Sequence, residues 1–92
     1  MTYEWDPEKA RANFKKHRFD FGEATTVFLD PLAITFPDLG HSAAEHRELT
    51  IDCTIKGRCA FVSHCKRKGR IQIVSARPAT RHERKQYEEG IG

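Results

Sequence analysis

The stretch EHRELTIDCTIKGRCAFVSHCKRKGRIQIVSAR, residues 45–77, decides the fold. Its first nine residues, Glu45–Cys53, repeat with a period of two. Arg47, Leu49, Ile51 and Cys53 point one way, and His46, Glu48, Thr50 and Asp52 the other, as in a strand and not a helix. Lys56 and Gly57 supply hairpin-turn chemistry. A further strand is predicted over about Arg58–Cys65. The turn Lys66–Gly69 leads into another over about Arg70–Arg77, which Pro78 ends. Turns this short join antiparallel neighbours, so the segment reads as a meander.

Upstream the period changes. Leu32, Ile34 and Phe36 alternate with Ala33 and Thr35 as one more strand, followed by a loop over 37–44. Before residue 31 the spacing is helical. Asp6 and Pro7 form an N-cap and a first-turn proline, predicting a helix from Pro7 to about His17 with Ala10, Phe14 and His17 buried. Asp20 and Glu23 read as a capping box, with Phe19 stapled onto Ala24, for a second helix to about Phe28. Thr2–Trp5 fits a short edge strand. Thr80 and Glu83 form a second capping box, for a last helix to about Glu89 anchored by Tyr87 and Ile91. The expected architecture is α+β: two N-terminal helices packed on an antiparallel, mainly four-stranded sheet, with a C-terminal helix.

Ninety-two residues hold one core, so residues 1–92 are read as a single domain. A mean hydropathy of −0.68 excludes a membrane protein, and no apolar run nears the roughly 18 residues of a span. Met1–Asp6 has neither the basic nor the apolar region of a leader, so a cytoplasmic location is expected. Cys53, Cys59 and Cys65 are odd in number and lack C-x-x-C spacing. They are expected to be reduced thiols and not a disulfide framework or zinc site.

Charge is divided along the chain. Residues 1–55 carry 6 Lys and Arg against 10 Asp and Glu, a net −4; residues 56–92 carry 10 against 3, a net +7. A basic half suggests a polyanionic partner. The chain shows no Gly-rich phosphate loop, nucleophile elbow or paired acids for glycoside chemistry. Histidines, a few acids and many arginines remain. That inventory suits metal-free phosphodiester chemistry: a base takes a proton from an RNA 2′-OH, and arginines stabilise the charge that develops on the phosphate. The candidates are Glu45 and Arg47 opening a strand, His64 within the next, Arg67 in the following turn, and Arg77 at a strand end. Arg77 continues the face of Ile71, Ile73 and Ser75, where a charge needs a carboxylate such as Glu45 or Glu83, or a phosphate. No cofactor or metal is expected. The competing reading is a non-catalytic nucleic-acid-binding or regulatory module.

Trp5, Asp6, Lys9, Asn13, Lys16, His17, Phe21, Glu23 and Ala24, then Asp30–Ala33 and Phe36, resemble the opening signature of the BrnT ribonuclease toxins. Ser75, Ala76, Arg77, Ala79, Thr80, Glu83, Arg84, Tyr87 and Glu88 resemble its closing signature. The resemblance covers nearly the whole chain. It implies a RelE-like fold and an RNA-cleaving toxin of a type II toxin–antitoxin pair, which inhibits translation. It also implies a hetero-oligomer with a BrnA-like ribbon-helix-helix antitoxin, through which the complex meets operator DNA. The chain departs from the pattern at Gln72, where the family often carries Arg, and at Asp52, where it often carries Gly.

Overall fold

The computed structural model of the protein describes residues 2–38 and 46–91, the side chains of 90 and 91 apart. In chain order the elements are β1 (Thr2–Glu4), α1 (Pro7–His17), α2 (Phe21–Ala24), a 3₁₀ turn (Thr25–Leu29), β2 (Ile34–Pro37), β3 (Arg47–Cys53), β4 (Cys59–Arg67), β5 (Arg70–Pro78) and α3 (Arg81–Ile91). The strands form one sheet in the order β1-β5-β4-β3-β2. The expected meander is present, with β2, β3, β4 and β5 antiparallel in turn. The all-antiparallel expectation is corrected at β1, which pairs parallel with β5, Tyr3 opposite Ile71. The sheet is therefore five-stranded and mixed. A parallel pair needs a long connection, and here α1, α2 and β2–β4 together supply it.

Asp6 caps α1 by accepting from Glu8 N–H at 2.9 Å, and Arg18 ends it in the left-handed region at φ 56°. The buried face differs from the expected one. Asn13 is buried, Ala10 and His17 are half-buried, and Phe14 is 46% exposed. The cause lies in the sheet. β1 covers β5 only as far as Gln72, so the backbone of Ala76 has no strand beside it there. Asn13 Oδ1 accepts from Ala76 N–H at 3.1 Å, and its Nδ2 donates to Ala76 O at 2.8 Å and Phe19 O at 3.0 Å. One amide side chain takes the place of the missing strand, as buried peptide groups require.

The second predicted helix is one helical turn that tightens into the 3₁₀ segment. Asp20 caps it as expected, accepting from Glu23 N–H at 3.2 Å. Glu23 does not return the bond. Its carboxylate is buried against Thr54 Oγ1 at 2.7 Å and Arg58 Nε at 2.9 Å, across the sheet's end. Thr25 and Thr26 hydroxyls donate to Gly22 O and Glu23 O at 2.7 Å, backbone competition that favours the tighter turn.

Phe19, Phe21, Ala24 and Val27 pack onto Ala60, Val62, Ile71, Ile73 and Ala76 to form the core. A β-bulge shapes its far side. Ser63 pairs with Ser75 but His64 pairs with Ile73, leaving Val74 as the extra residue. The bulge reverses the alternation. Ile71, Ile73 and Ala76 face the core, whereas Ser75 and Arg77 face the opposite side. The expected shared face of Ile71, Ile73, Ser75 and Arg77 is thus divided in two.

Candidate active site

The face turned away from α1 carries Ile34, Phe36, Leu49, Ile51, Phe61, Ser63, Ser75 and Arg77. α3 crosses part of it, setting Glu83, Gln86 and Tyr87 over Ile34, Phe36, Ile51 and Phe61. The rest is an open depression of ≈ 480 Å³ lined by Asp38, Arg47, Leu49, Phe61, Ser63, Val74, Ser75 and Arg77.

Arg77 is held from two sides. Its guanidinium lies 4.6 Å from the centre of the Phe61 ring, its cross-strand neighbour. Its two terminal nitrogens donate to the two carboxylate oxygens of Glu83, each at 2.8 Å. Glu83 also caps α3, accepting from Thr80 N–H at 2.8 Å while its own N–H donates to Thr80 Oγ1 at 3.1 Å. These donors, Arg77 first, hold the Glu83 carboxyl down at about 2. The Arg77 side chain nonetheless stays 36% exposed and lines the depression, with its fork engaged by Glu83. Such a fork binds a phosphate as it binds a carboxylate.

Arg47 lines the same depression. It is half-buried, and its Nε has no hydrogen-bond partner among the described residues. A buried donor without an acceptor is costly, and this Nε is shielded from solvent while the side chain lines the depression.

The other candidates lie elsewhere. His64 sits on the face under the helices, 3% exposed, with Nε2 2.7 Å from Thr50 Oγ1 and the Phe28 ring edge-on at 4.9 Å. Burial pushes its pKa down, which keeps the ring neutral. It borders a separate depression with Tyr3, Glu48 and Lys66. Arg67 is at the tip of the β4–β5 hairpin beside Lys68 and Arg70. Glu45 falls outside the described residues. Arg47 and Arg77 are therefore the two candidates that the fold brings together.

Two side chains at the site were not among the sequence-based site candidates. Phe61 supports Arg77, and its register opposite Arg77 depends on the bulge. Tyr87 was read as an apolar anchor, yet its hydroxyl donates to Asp52 Oδ1 at 2.6 Å and so pins α3. Asp52, one of the two departures from the family pattern, is buried, and burial raises its carboxyl above the usual value. Gln72, the other, stands in β5 between Glu4 and Cys65.

The fold and site define a small α+β domain whose sheet face opposite α1 sets two arginines in one depression. Residues 5–83 match the family described as the ribonuclease toxin BrnT of type II toxin–antitoxin systems, and the chain belongs to that family. Among solved structures it is similar to the Brucella abortus ribonuclease toxin BrnT. The TM-score is 0.69 at 21% identity, over 88% of this chain and 100% of that one. No curated protein matches. No helix among the described residues is long and apolar enough to cross a membrane.

Proposed function

We propose that the chain is an endoribonuclease that cleaves RNA without a metal ion at the depression beside α3, with Arg77 and Arg47 as its phosphate-binding groups. The observation that carries this reading is the shared depression, which both Arg77 and Arg47 line. In the reaction the 2′-OH attacks the adjacent phosphorus and the 5′-oxygen leaves. Negative charge grows on the non-bridging oxygens, where two guanidinium groups stabilise it in place of a cation from solution. Glu45, two residues before Arg47 in the chain, is the proton acceptor of this reading, since His64 lies on the opposite face of the sheet. Glu45→Gln should remove the acid limb of the pH–rate profile, because a general base acts only when deprotonated, whereas His64→Gln should leave that limb in place.

As a toxin of this kind the protein would inhibit translation in the cytoplasm. A BrnA-like ribbon-helix-helix antitoxin would neutralise it in a hetero-oligomer that meets operator DNA through the antitoxin. The RelE-like character implied by the sequence resemblance belongs to the same reading.

The test is Arg77→Ala and Arg77→Lys, each measured for melting temperature and for RNA cleavage in EDTA. Loss of one preorganised donor lowers the rate by roughly 100–1,000-fold. Lys should restore only part, because it keeps the charge and loses the fork. Full cleavage by a folded Arg77→Ala protein removes Arg77 from the site. RNA binding without cleavage by the unaltered protein supports the non-catalytic module instead.

A further inference from the structure

Cys53 ends β3 and Cys59 begins β4, and the two stand directly opposite each other in the register. The turn between them determines what kind of pair they form. Thr54 N–H donates to Arg58 O at 2.8 Å, so Thr54 and Arg58 are the hydrogen-bonded pair that closes the hairpin. Pair types alternate along an antiparallel ladder. The next pair outward is therefore non-hydrogen-bonded, the type whose Cα atoms come within about 4.5 Å and whose side chains lie closest. A disulfide spans Cα separations of about 4.4–6.8 Å, so the backbone is already within its range. The sulfurs are in contact at 3.0 Å, both cysteines are free, and Cys53 is exposed. Cys65 is buried six residues further along β4, opposite Arg47.

We propose that Cys53 and Cys59 are a dithiol modification site, which a two-electron oxidant closes into an intrachain disulfide with the sheet in place. With a peroxide, one thiolate attacks the O–O bond, taking one oxygen as a sulfenic acid and releasing the other as water once protonated. The second sulfur then attacks the sulfenic sulfur; an S–S bond forms, the S–O bond breaks, and a second water leaves. With a low-molecular-weight disulfide, one thiolate forms a mixed disulfide and expels a thiol. The second protein sulfur then expels the other thiol, so the oxidant gains the two electrons the protein loses. The Cys53 thiol is pushed up to about 11, first by its hydrogen bond with Cys59, which favours its protonated form. Closure fastens the base of the β3–β4 hairpin next to Asp52, the residue that holds Tyr87 of α3.

The experiment uses the whole chain, fully reduced and then treated in parallel with hydrogen peroxide or oxidised glutathione. Free thiols are alkylated without reductant and mapped by mass spectrometry. Untreated protein should take three adducts. Protein from at least one oxidant arm should take one, on Cys65, in a monomer lighter by two hydrogens with Cys53 linked to Cys59. The arm that responds identifies the class of oxidant. Three adducts after both treatments overturn the proposal, as does a covalent dimer or a link to Cys65 in place of the intrachain bond.

Discussion

Asn13 does more for this fold than its position in a charged helix suggests. Three hydrogen bonds converge on its amide, two of them from the peptide groups of Ala76. Truncation to Ala leaves a buried N–H and two carbonyl oxygens short of partners. Each unsatisfied group costs ~1–3 kcal/mol, and relaxation or water recovers part, so Asn13→Ala should destabilise the protein by roughly 2–4 kcal/mol in urea titration. Asn13→Asp should cost at least as much, because a carboxylate cannot donate to the carbonyl oxygens of Ala76 and Phe19. A loss under about 0.5 kcal/mol, the usual range of a surface change, would show that α1 is not pinned through this side chain. The residue was visible in the opening signature, but no sequence pattern shows that an edge strand three residues long leaves a later stretch of β5 in need of an amide.

At the scale of the element, α3 shows what polar tethers can do where apolar area is small. Its helix start was legible, because a capping box is local chemistry: Thr80 and Glu83 satisfy each other over three residues. Its docking was not. Arg77 was expected on the core-side face, and the Val74 bulge turns it to the face where Glu83 meets it. Bulges arise from how two strands fit together, and a period-two reading carries straight through them. The parallel setting of β1 was hidden for a similar reason, since three residues encode a strand but not its direction. Two tethers thus hold α3, Arg77–Glu83 and Tyr87–Asp52. Tyr87→Phe removes one hydrogen bond to a buried carboxyl at ~1–2 kcal/mol, so amide exchange across residues 81–89 should speed up about 5–30-fold while the sheet is unchanged. Equal acceleration in sheet and helix would mean that α3 opens only with the whole molecule. The other tether has a pH signature. Glu83 sits at about 2 in the fold, below the ~4.3 of a free Glu, so folding favours its charged form. Its contribution is complete above that free value and is lost as pH falls through about 2. Asp52 works in the opposite sense, because its raised carboxyl favours the protonated form and gains on acidification. Glu83→Gln should therefore flatten the acid side of the melting-temperature curve, while Asp52 continues to act as before. An unchanged acid limb would show that the Arg77 contact contributes little to stability.

Across the whole molecule, the two charge halves of the chain interleave, with β4 and β5 of the basic half standing between β1 and β3 of the acidic half. β4, β5 and α3 carry the basic half, including the hairpin tip of Arg67, Lys68 and Arg70 and the exposed Arg81, Arg84 and Lys85 of α3. Of the arginines of the depression, Arg77 lies between these two basic regions along the chain and Arg47 precedes both. RNA carries its charge as a repeating chain of phosphates, and a surface of this kind meets it over several residues. The same surface would attract the antitoxin proposed for this chain if that partner presents an acidic segment, since both ligands answer to one field. This part of the reading was legible from composition alone, because net charge survives any error in register. Association with the antitoxin should then slow as salt rises. Exposed charges are screened beyond about 8–10 Å near physiological ionic strength, and steering is lost with them. Between low salt and ~0.5 M the association rate constant should fall about tenfold or more, with dissociation much less affected. Arg81→Glu and Lys85→Glu reverse charge on α3 without touching either tether, and together they should lower association at low salt and flatten its salt dependence. Stopped-flow mixing at several ionic strengths measures both. An association rate indifferent to salt would place the contact on apolar surface, leaving the basic half to RNA alone.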